Sequence, residues 1–272
     1  MYEQFYGLKE NPFSVTSDPG YLYMSKHHKE AYSHILYGIK QRKGFIEITG
    51  EVGAGKTTLC RALLRDISPN IKTAFILNPS LSELQLLQSI VEDLGLKVKT
   101  KNKFEMLKTL NNFLIEELTR KNNVVLIIDE AQNLHGKVLE QVRLLSNLET
   151  EKEKLIQIML VGQPELNEKL ACDDLKQLRQ RITVRYHIPP LDGDEIKDYI
   201  YHRLRIAGSS GNIVFTDSAI EIIYAYSSGI PRLINVVCDK ALLHGYVVEG
   251  FQINDEMVNR SIDEIEGRVT VT

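Results

Sequence analysis

Cysteine is scarce in this chain, and its placement argues against a disulfide framework and against a structural zinc site. The 272 residues include three cysteines, Cys60, Cys172 and Cys238, which lie far apart and form no C-x-x-C pair. A disulfide framework needs an even set of paired cysteines, and a structural zinc site needs ligands a few residues apart. The cysteine pattern is therefore typical of a protein from a reducing compartment.

The chain also lacks a long hydrophobic run and a strong excess of charge. No apolar stretch approaches the roughly 20 residues that cross a bilayer, and residues 1–5 lack the basic-then-apolar layout of a signal peptide. A formal net charge of −3 gives no overall basic character for nucleic-acid binding. We therefore expect a cytoplasmic, soluble chain without a transmembrane segment, or the cytoplasmic part of a longer membrane-anchored protein.

Residues 50–57 form a complete G-x-x-x-x-G-K-T sequence between a strand pattern and a helix pattern. This is the context that a phosphate-binding loop requires. Backbone N–H groups of such a loop surround the phosphates, the lysine contacts the β- and γ-phosphates, and the threonine hydroxyl ligates Mg²⁺. The sequence therefore predicts a bound nucleoside triphosphate and Mg²⁺, with these binding residues: Gly50, Glu51, Val52, Gly53, Ala54, Gly55, Lys56, Thr57 and Thr58.

Strand and helix patterns alternate from residue 45 to about residue 190, and only helix patterns of any length follow. Strand patterns cover 45–49, 72–77, 124–128, 155–161 and 182–188, with helix patterns near 57–67, 82–94, 103–121, 136–149 and 165–179. Such alternation predicts a parallel sheet with helices on both faces. Later helices are expected at 192–207, 217–227, 231–248 and 255–266. We predict an α/β nucleotide-binding core over residues 1–190, which includes an N-terminal leader over residues 1–44, and a small all-helical lid domain over residues 191–272.

Polar side chains follow two of the predicted strands. Asp129 and Glu130 end the apolar run 124–128. Asp129 is expected to hold Mg²⁺ beside Thr57, and Glu130 to orient and deprotonate an attacking water. Gln163 follows the next strand, where it could sense the γ-phosphate or help place the water if that strand lies between the other two.

Arginines near the ends of predicted helices complete the candidate site. Arg181, or as a second choice Arg179, could reach a neighbouring subunit's nucleotide and stabilise transition-state charge. Arg232 follows Pro231 in a first helical turn, where the helix dipole disfavours a cation. A nearby anion would offset that effect, and the γ-phosphate is the obvious candidate.

The order of these motifs resembles that of AAA+ ATPases, and more narrowly of the ExeA type, also called general secretion pathway protein A. The similar segments include Asn11-Pro12-Phe13, the phosphate loop, Asp129-Glu130-Ala131-Gln132, Gly162-Gln163-Pro164-Glu165-Leu166 and Gly229-Ile230-Pro231-Arg232. The resemblance implies ATP hydrolysis with Mg²⁺, a sheet of strand order 5-1-4-3-2, and ATP between core and lid. It also implies self-association into a ring or arc, and a protein partner in a secretion or envelope complex.

Two alternatives to a secretion-related assembly ATPase stay open. A DNA-binding transposition regulator of the MuB or TnsC kind resembles this core, and Lys97, Lys99, Lys101 and Lys103 form a small basic stretch. Such stretches are usually solvated loops, so DNA is not the favoured partner. The other alternative is an ATP-dependent binding switch with little hydrolysis, against which Glu130 argues because a pure binder needs no base there.

Overall fold

A computed structural model describes residues 1–77, 80–98, 102–151 and 153–268. Five strands form one parallel sheet in the order β2-β3-β4-β1-β5. They are β1 (Phe45–Gly50), β2 (Ile71–Ile76), β3 (Asn123–Ile128), β4 (Gln157–Gly162) and β5 (Ile182–Ile188). This confirms the predicted fold class and strand order, with β4 between β3 and β1.

Most of the helices from α3 onward begin and end close to the predicted positions. In chain order they are α1 (Tyr2–Tyr6), α2 (Lys26–Lys40), α3 (Lys56–Asp66), α4 (Glu83–Asp93), α5 (Lys103–Thr119), α6 (Gly136–Leu145), α7 (Glu165–Ala171), α8 (Lys176–Arg181), α9 (Glu195–Ile206), α10 (Asp217–Ser227), α11 (Pro231–Val247) and α12 (Asp255–Ile265). Across the described residues, none of these helices is long and apolar enough to span a membrane.

The helix predicted over 165–179 is instead two helices, α7 and α8. Cys172 has an extended backbone (φ −59°, ψ 144°) and a short 3₁₀ turn, Asp173–Leu175, follows it. Leu170, Leu175 and Leu178 are all buried in one core. The five-residue step from Leu170 to Leu175 does not match the helical repeat, so the chain breaks the helix to bury both.

The predicted all-helical lid contains a short parallel pair of strands. They are β6 (Val214–Phe215) and β7 (Gln252–Ile253). Phe215 and Ile253 are buried, while their strand neighbours Val214 and Gln252 are exposed. Two-residue strands are too short for alternation to be visible in the sequence, and for that reason the expectation of helices alone was wrong.

The contacts divide the chain into two compact units. The sheet unit comprises Lys29–Gly50 and Leu63–Ile188. All residues of β3 and β4 are buried, as expected of central strands covered on both faces. The later half of α2 packs closely on β1, since a Cβ added to Gly38 would lie 2.6 Å from Ile46 Cδ1.

The helical unit comprises Met1–His28, Glu51–Ala62 and Pro189–Thr272. Its core joins aromatic side chains of the leader, including Tyr6 and Phe13, to residues of α9 to α12. Arg203 of α9 is buried and donates hydrogen bonds to the carbonyl oxygens of Pro12 and Ser14. The leader up to His28 therefore packs with the C-terminal helices, whereas the predicted core of residues 1–190 includes it with the sheet. The domain boundary near residue 190 stays a prediction.

Candidate functional site

The phosphate loop of the helical unit has a backbone that glycine alone adopts easily. Gly53 and Gly55 have φ values of +82° and +91°, in the left-handed region that side chains disfavour. Lys56 begins α3 with only 5% of its surface exposed, and its Nζ donates a hydrogen bond to the Glu51 carbonyl oxygen at 2.9 Å. The Lys56 ammonium group is therefore hydrogen-bonded to the backbone of the phosphate loop to which it belongs.

The first turn of α11 packs directly on this loop. The Arg232 N–H donates to the Gly53 carbonyl oxygen at 3.3 Å, and a Cβ added to Gly53 would lie 2.6 Å from Arg232 Cβ. The Arg232 side chain itself is exposed. The structure thus brings Arg232 to the phosphate loop, and its contact with a γ-phosphate stays a prediction.

A buried histidine of the leader supports the same loop. His28 is 3% exposed, its Nε2 lies 3.0 Å from the Ala54 carbonyl oxygen, and its Nδ1 lies 2.7 Å from Ser25 Oγ. Burial lowers the pKa of His28, which favours the neutral ring. Because a carbonyl can only accept, Nε2 carries the proton and Nδ1 accepts from the serine hydroxyl. No sequence signal predicts this role, because a lone histidine carries no motif.

The two acids lie at the carboxyl end of β3. Asp129 is 1% exposed, its N–H donates to the Ile76 carbonyl oxygen at 2.9 Å, and its Oδ1 accepts the Glu130 N–H at 3.0 Å. Glu130 has a left-handed backbone with φ +53°, which is rare for a residue with a side chain. The chain therefore turns sharply at Glu130, into a 3₁₀ turn over Ala131–Asn133.

Gln163, at the tip of β4, contacts the predicted base. Its Nε2 donates to Glu130 Oε2 at 3.1 Å. Gln132, which is not one of the predicted site residues, donates to the same oxygen at 2.6 Å. The glutamine predicted to face the γ-phosphate therefore interacts with Glu130, and its action on phosphate or water stays a prediction.

The two arginines predicted to reach a neighbouring subunit donate hydrogen bonds within the sheet unit. Arg181 donates to Ser146 Oγ at 2.7 Å and also to Asn147 Oδ1. Arg179 donates to the Ala171 carbonyl oxygen at 3.2 Å. A role in a neighbouring subunit would require either side chain to exchange these bonds for new ones.

The structure describes only part of the basic stretch that could contact DNA. Lys99 and Lys101 lie outside the described residues. Lys103 forms an ion pair with Glu83 at 2.8 Å. The described part of the stretch therefore presents less free positive charge than the sequence indicated.

The sheet topology relates the predicted residues to one edge. In parallel strands the carboxyl ends all lie at the same edge of the sheet. The phosphate loop leaves β1 after Gly50, the acids leave β3 after Ile128, and Gln163 leaves β4 after Gly162. The carboxyl ends of β1, β3 and β4 therefore lie at one edge of the sheet, and such edges are the usual setting of ligand binding in open α/β sheets.

Comparison with known proteins agrees with this arrangement. A protein-family model described as an AAA domain matches residues 39–170. The chain contains an AAA domain. The AAA domain begins near the end of α2 and ends within α7, so it includes β1 to β4, the phosphate loop, both acids and Gln163.

In sequence the chain is similar to general secretion pathway protein A, which confirms the resemblance of the motifs. It is 43% identical over 268 residues to general secretion pathway protein A of Aeromonas hydrophila, covering 98% of this chain and 49% of that protein. This AAA-domain chain thus spans about half the length of its curated relative.

Solved structures share the fold at low sequence identity. The ORC2 protein of Aeropyrum pernix, in ADPNP–ADP complexes, has a TM-score of 0.70 and 17% identity, covering 96% of this chain and 73% of that one. Cdc6p of Pyrobaculum aerophilum has a TM-score of 0.70 and 18% identity, covering 93% and 70%. The RuvB Holliday junction branch migration motor of Thermotoga maritima has a TM-score of 0.57 and 19% identity, covering 87% and 68%. These likenesses concern the fold alone.

Proposed function

We propose that this chain is a Mg²⁺-dependent ATPase that cleaves the β–γ anhydride of ATP. The observation that carries the proposal is the Glu130 carboxylate, which stands at the tip of β3 with its orientation fixed by two amide donors. A protein that only binds nucleotide needs no oriented carboxylate at this position. General-base catalysis does, because the base must meet the water in a defined geometry.

The neighbouring residues supply complementary functions. Backbone N–H groups of the phosphate loop and Lys56 would bind the β- and γ-phosphates. Thr57 and Asp129 offer the hard oxygen ligands that Mg²⁺ prefers, and the metal, when bound, neutralises phosphate charge. Glu130 would take a proton from the attacking water, and Gln163 would help to place that water.

Two arginines extend the proposed site. The Arg232 side chain would bind the γ-phosphate, and the support for this role is that the Arg232 backbone packs on the phosphate loop. Arg181 would act from a neighbouring subunit, which requires self-association into a ring or arc. Each arginine would stabilise the negative charge that develops on the transferred phosphoryl group.

We further propose that nucleotide state controls the assembly of a partner complex related to secretion or to the cell envelope. The support is the 43% identity to general secretion pathway protein A over 98% of this chain. That protein is about twice as long, since the chain covers 49% of it. DNA is the less supported partner because Lys103 is already paired with Glu83.

The test is Glu130→Gln, which keeps the size of the side chain and removes the base. We expect ATP binding to be retained and the hydrolysis rate to fall about 10²- to 10⁴-fold, the range typical of general-base catalysis. Glu168→Gln, an exposed carboxylate on α7, is the matched control. Unchanged hydrolysis in Glu130→Gln would refute the assignment of the base, and ATP-dependent, salt-sensitive retention on duplex DNA would favour the transposition alternative.

A further inference from the structure

Glu130, Gln132 and Gln163 form a closed set of three hydrogen bonds between the tips of β3 and β4. Gln132 Nε2 donates to Glu130 Oε2 at 2.6 Å, and Gln163 Nε2 donates to the same oxygen at 3.1 Å. The third bond runs from the Gln163 backbone N–H to Gln132 Oε1 at 3.1 Å. Gln132 therefore touches both the carboxylate and the strand tip that carries the second amide.

The chemistry of the partners fixes which way the Gln132 amide points. A carboxylate can only accept and a backbone N–H can only donate. The amide nitrogen must therefore face Glu130 and the amide oxygen must face Gln163, so the usual ambiguity between the two amide orientations does not arise here. A flipped amide would lose both bonds together.

Two further features hold Gln132 in place. Gly162 leaves room for the amide, because a Cβ added there would lie 2.8 Å from Gln132 Oε1. Lys169 of α7 donates to the carbonyl oxygens of Gln132 and Leu134, and this fixes the backbone of the turn. The side chain and the backbone of Gln132 are therefore both restrained from the β4–α7 segment.

This arrangement leaves one oxygen of the carboxylate available. Both amides donate to Oε2, and among the described residues no donor reaches Oε1. A carboxylate held by one oxygen can present the other to a water molecule in a constant direction. We propose, building on the ATPase function proposed above, that Gln132 is a positioning residue that orients Glu130 for its action on water.

The first test compares Gln132→Ala and Gln132→Glu with wild type in single-turnover ATP hydrolysis at saturating nucleotide. Loss of orientation should lower the rate about 10- to 100-fold, the scale of a misplacement of about 1 Å. Nucleotide affinity, measured with a fluorescent ATP analogue, should stay within twofold of wild type, because the side-chain bonds of Gln132 go to Glu130 and Gln163. Asn133→Ala is the matched control: Asn133 is exposed in the same turn, and this variant should resemble wild type.

The second test disturbs Gln132 without replacing it. Gly162→Ala should displace the Gln132 amide and give the same loss of rate with retained affinity. Groups that act as a unit are not additive, so the pair Gly162→Ala and Gln132→Ala should lose little more than either alone. In a Glu130→Gln background, Gln132→Ala should lower the residual rate no further.

Several outcomes would overturn the proposal. A rate within twofold of wild type in Gln132→Ala, a rise in rate, or an equal loss of rate and affinity would each show that Gln132 does not position the base. Additive losses in the Glu130→Gln background would indicate a structural role instead. The ATPase proposal fails separately, since it is refuted only if Glu130→Gln itself retains hydrolysis.

Discussion

The His28→Ala substitution provides a sharp test of how the phosphate loop is supported, because it changes no residue of the motif. In the wild type, His28 donates to the Ala54 carbonyl oxygen at 3.0 Å and accepts from Ser25. Both His28 and Ala54 are buried, with 3% and 1% of their surfaces exposed. Alanine at position 28 leaves that carbonyl without its partner and opens a space beneath Gly55.

The size of the effect follows from the unpaired carbonyl. A buried acceptor that loses its donor costs about 1–3 kcal/mol. If this cost falls on the loop conformation that binds phosphate, nucleotide affinity should fall about 5- to 150-fold, since 1.4 kcal/mol corresponds to a factor of ten. The space left by the imidazole adds a loss of global stability in the direction seen for other large-to-small substitutions in protein cores.

The assay is an equilibrium titration with a fluorescent ATP analogue, combined with thermal unfolding in the absence of nucleotide. His28→Gln can place an amide N–H near the Ala54 carbonyl, so it should recover much of the affinity. His34→Ala, on the exposed side of α2, should bind like wild type. An affinity of His28→Ala within twofold of wild type would refute the idea that this histidine supports the loop.

The same histidine predicts the direction of a pH effect. Burial lowers the pKa of His28 below its ordinary value of 6.5, and this outweighs the opposing influences of the hydrogen bond to Ala54 and of the Glu195 charge. The unfolded chain therefore binds a proton at a pH where the folded chain does not, so stability is complete above about pH 6.5 and falls as the pH drops below it. Burial also lowers the pKa of His202 and His244. The measurement therefore compares the pH dependence of unfolding free energy between His28→Gln and wild type. The acid-side loss of stability should be smaller in His28→Gln than in wild type, and equal slopes would contradict this reasoning.

Two further predictions concern arginines. Arg203→Met should lower the free energy of unfolding by about 3 kcal/mol, because two leader carbonyls lose charged hydrogen-bond donors; chemical denaturation measures this, and the exposed Arg205→Met should change it little. If Arg181 acts in trans, mixing Arg181→Ala subunits with Glu130→Gln subunits should restore ATPase activity above that of either variant alone, because some interfaces then combine an intact arginine with an intact base. No recovery on mixing, with assembly shown by light scattering, would place the arginine's role within its own subunit.

The sheet could be predicted from sequence because its central strands must be apolar on both faces. The run Val124–Ile128 has no polar residue, and every residue of β3 is buried. The phosphate loop could be predicted because Gly53 and Gly55 occupy left-handed backbone positions, where glycine is the residue of lowest cost. In both cases one local physical requirement selects one kind of residue.

The break between α7 and α8 could not be predicted in the same way. Helical periodicity continues on both sides of Cys172, and the phase shift between Leu170 and Leu175 becomes meaningful only when both are known to enter one core. Gln132 presents a similar difficulty. Its importance depends on a hydrogen bond from the Gln163 backbone N–H, 31 positions later. This contact exists only because β3 and β4 are neighbours in the sheet.

The contacts that support the phosphate loop could not be predicted from its motif. Its motif specifies the backbone, yet two segments remote in sequence contact that backbone: the leader through His28 at Ala54 and the start of α11 through Arg232 at Gly53. Neither contact has a periodic or compositional signature, because each depends on how distant parts of the helical unit pack. A change in the leader or in the first turn of α11 should therefore alter nucleotide affinity while the G-x-x-x-x-G-K-T sequence stays intact. Variation at these positions would separate homologues that share the motif but differ in how tightly they bind nucleotide.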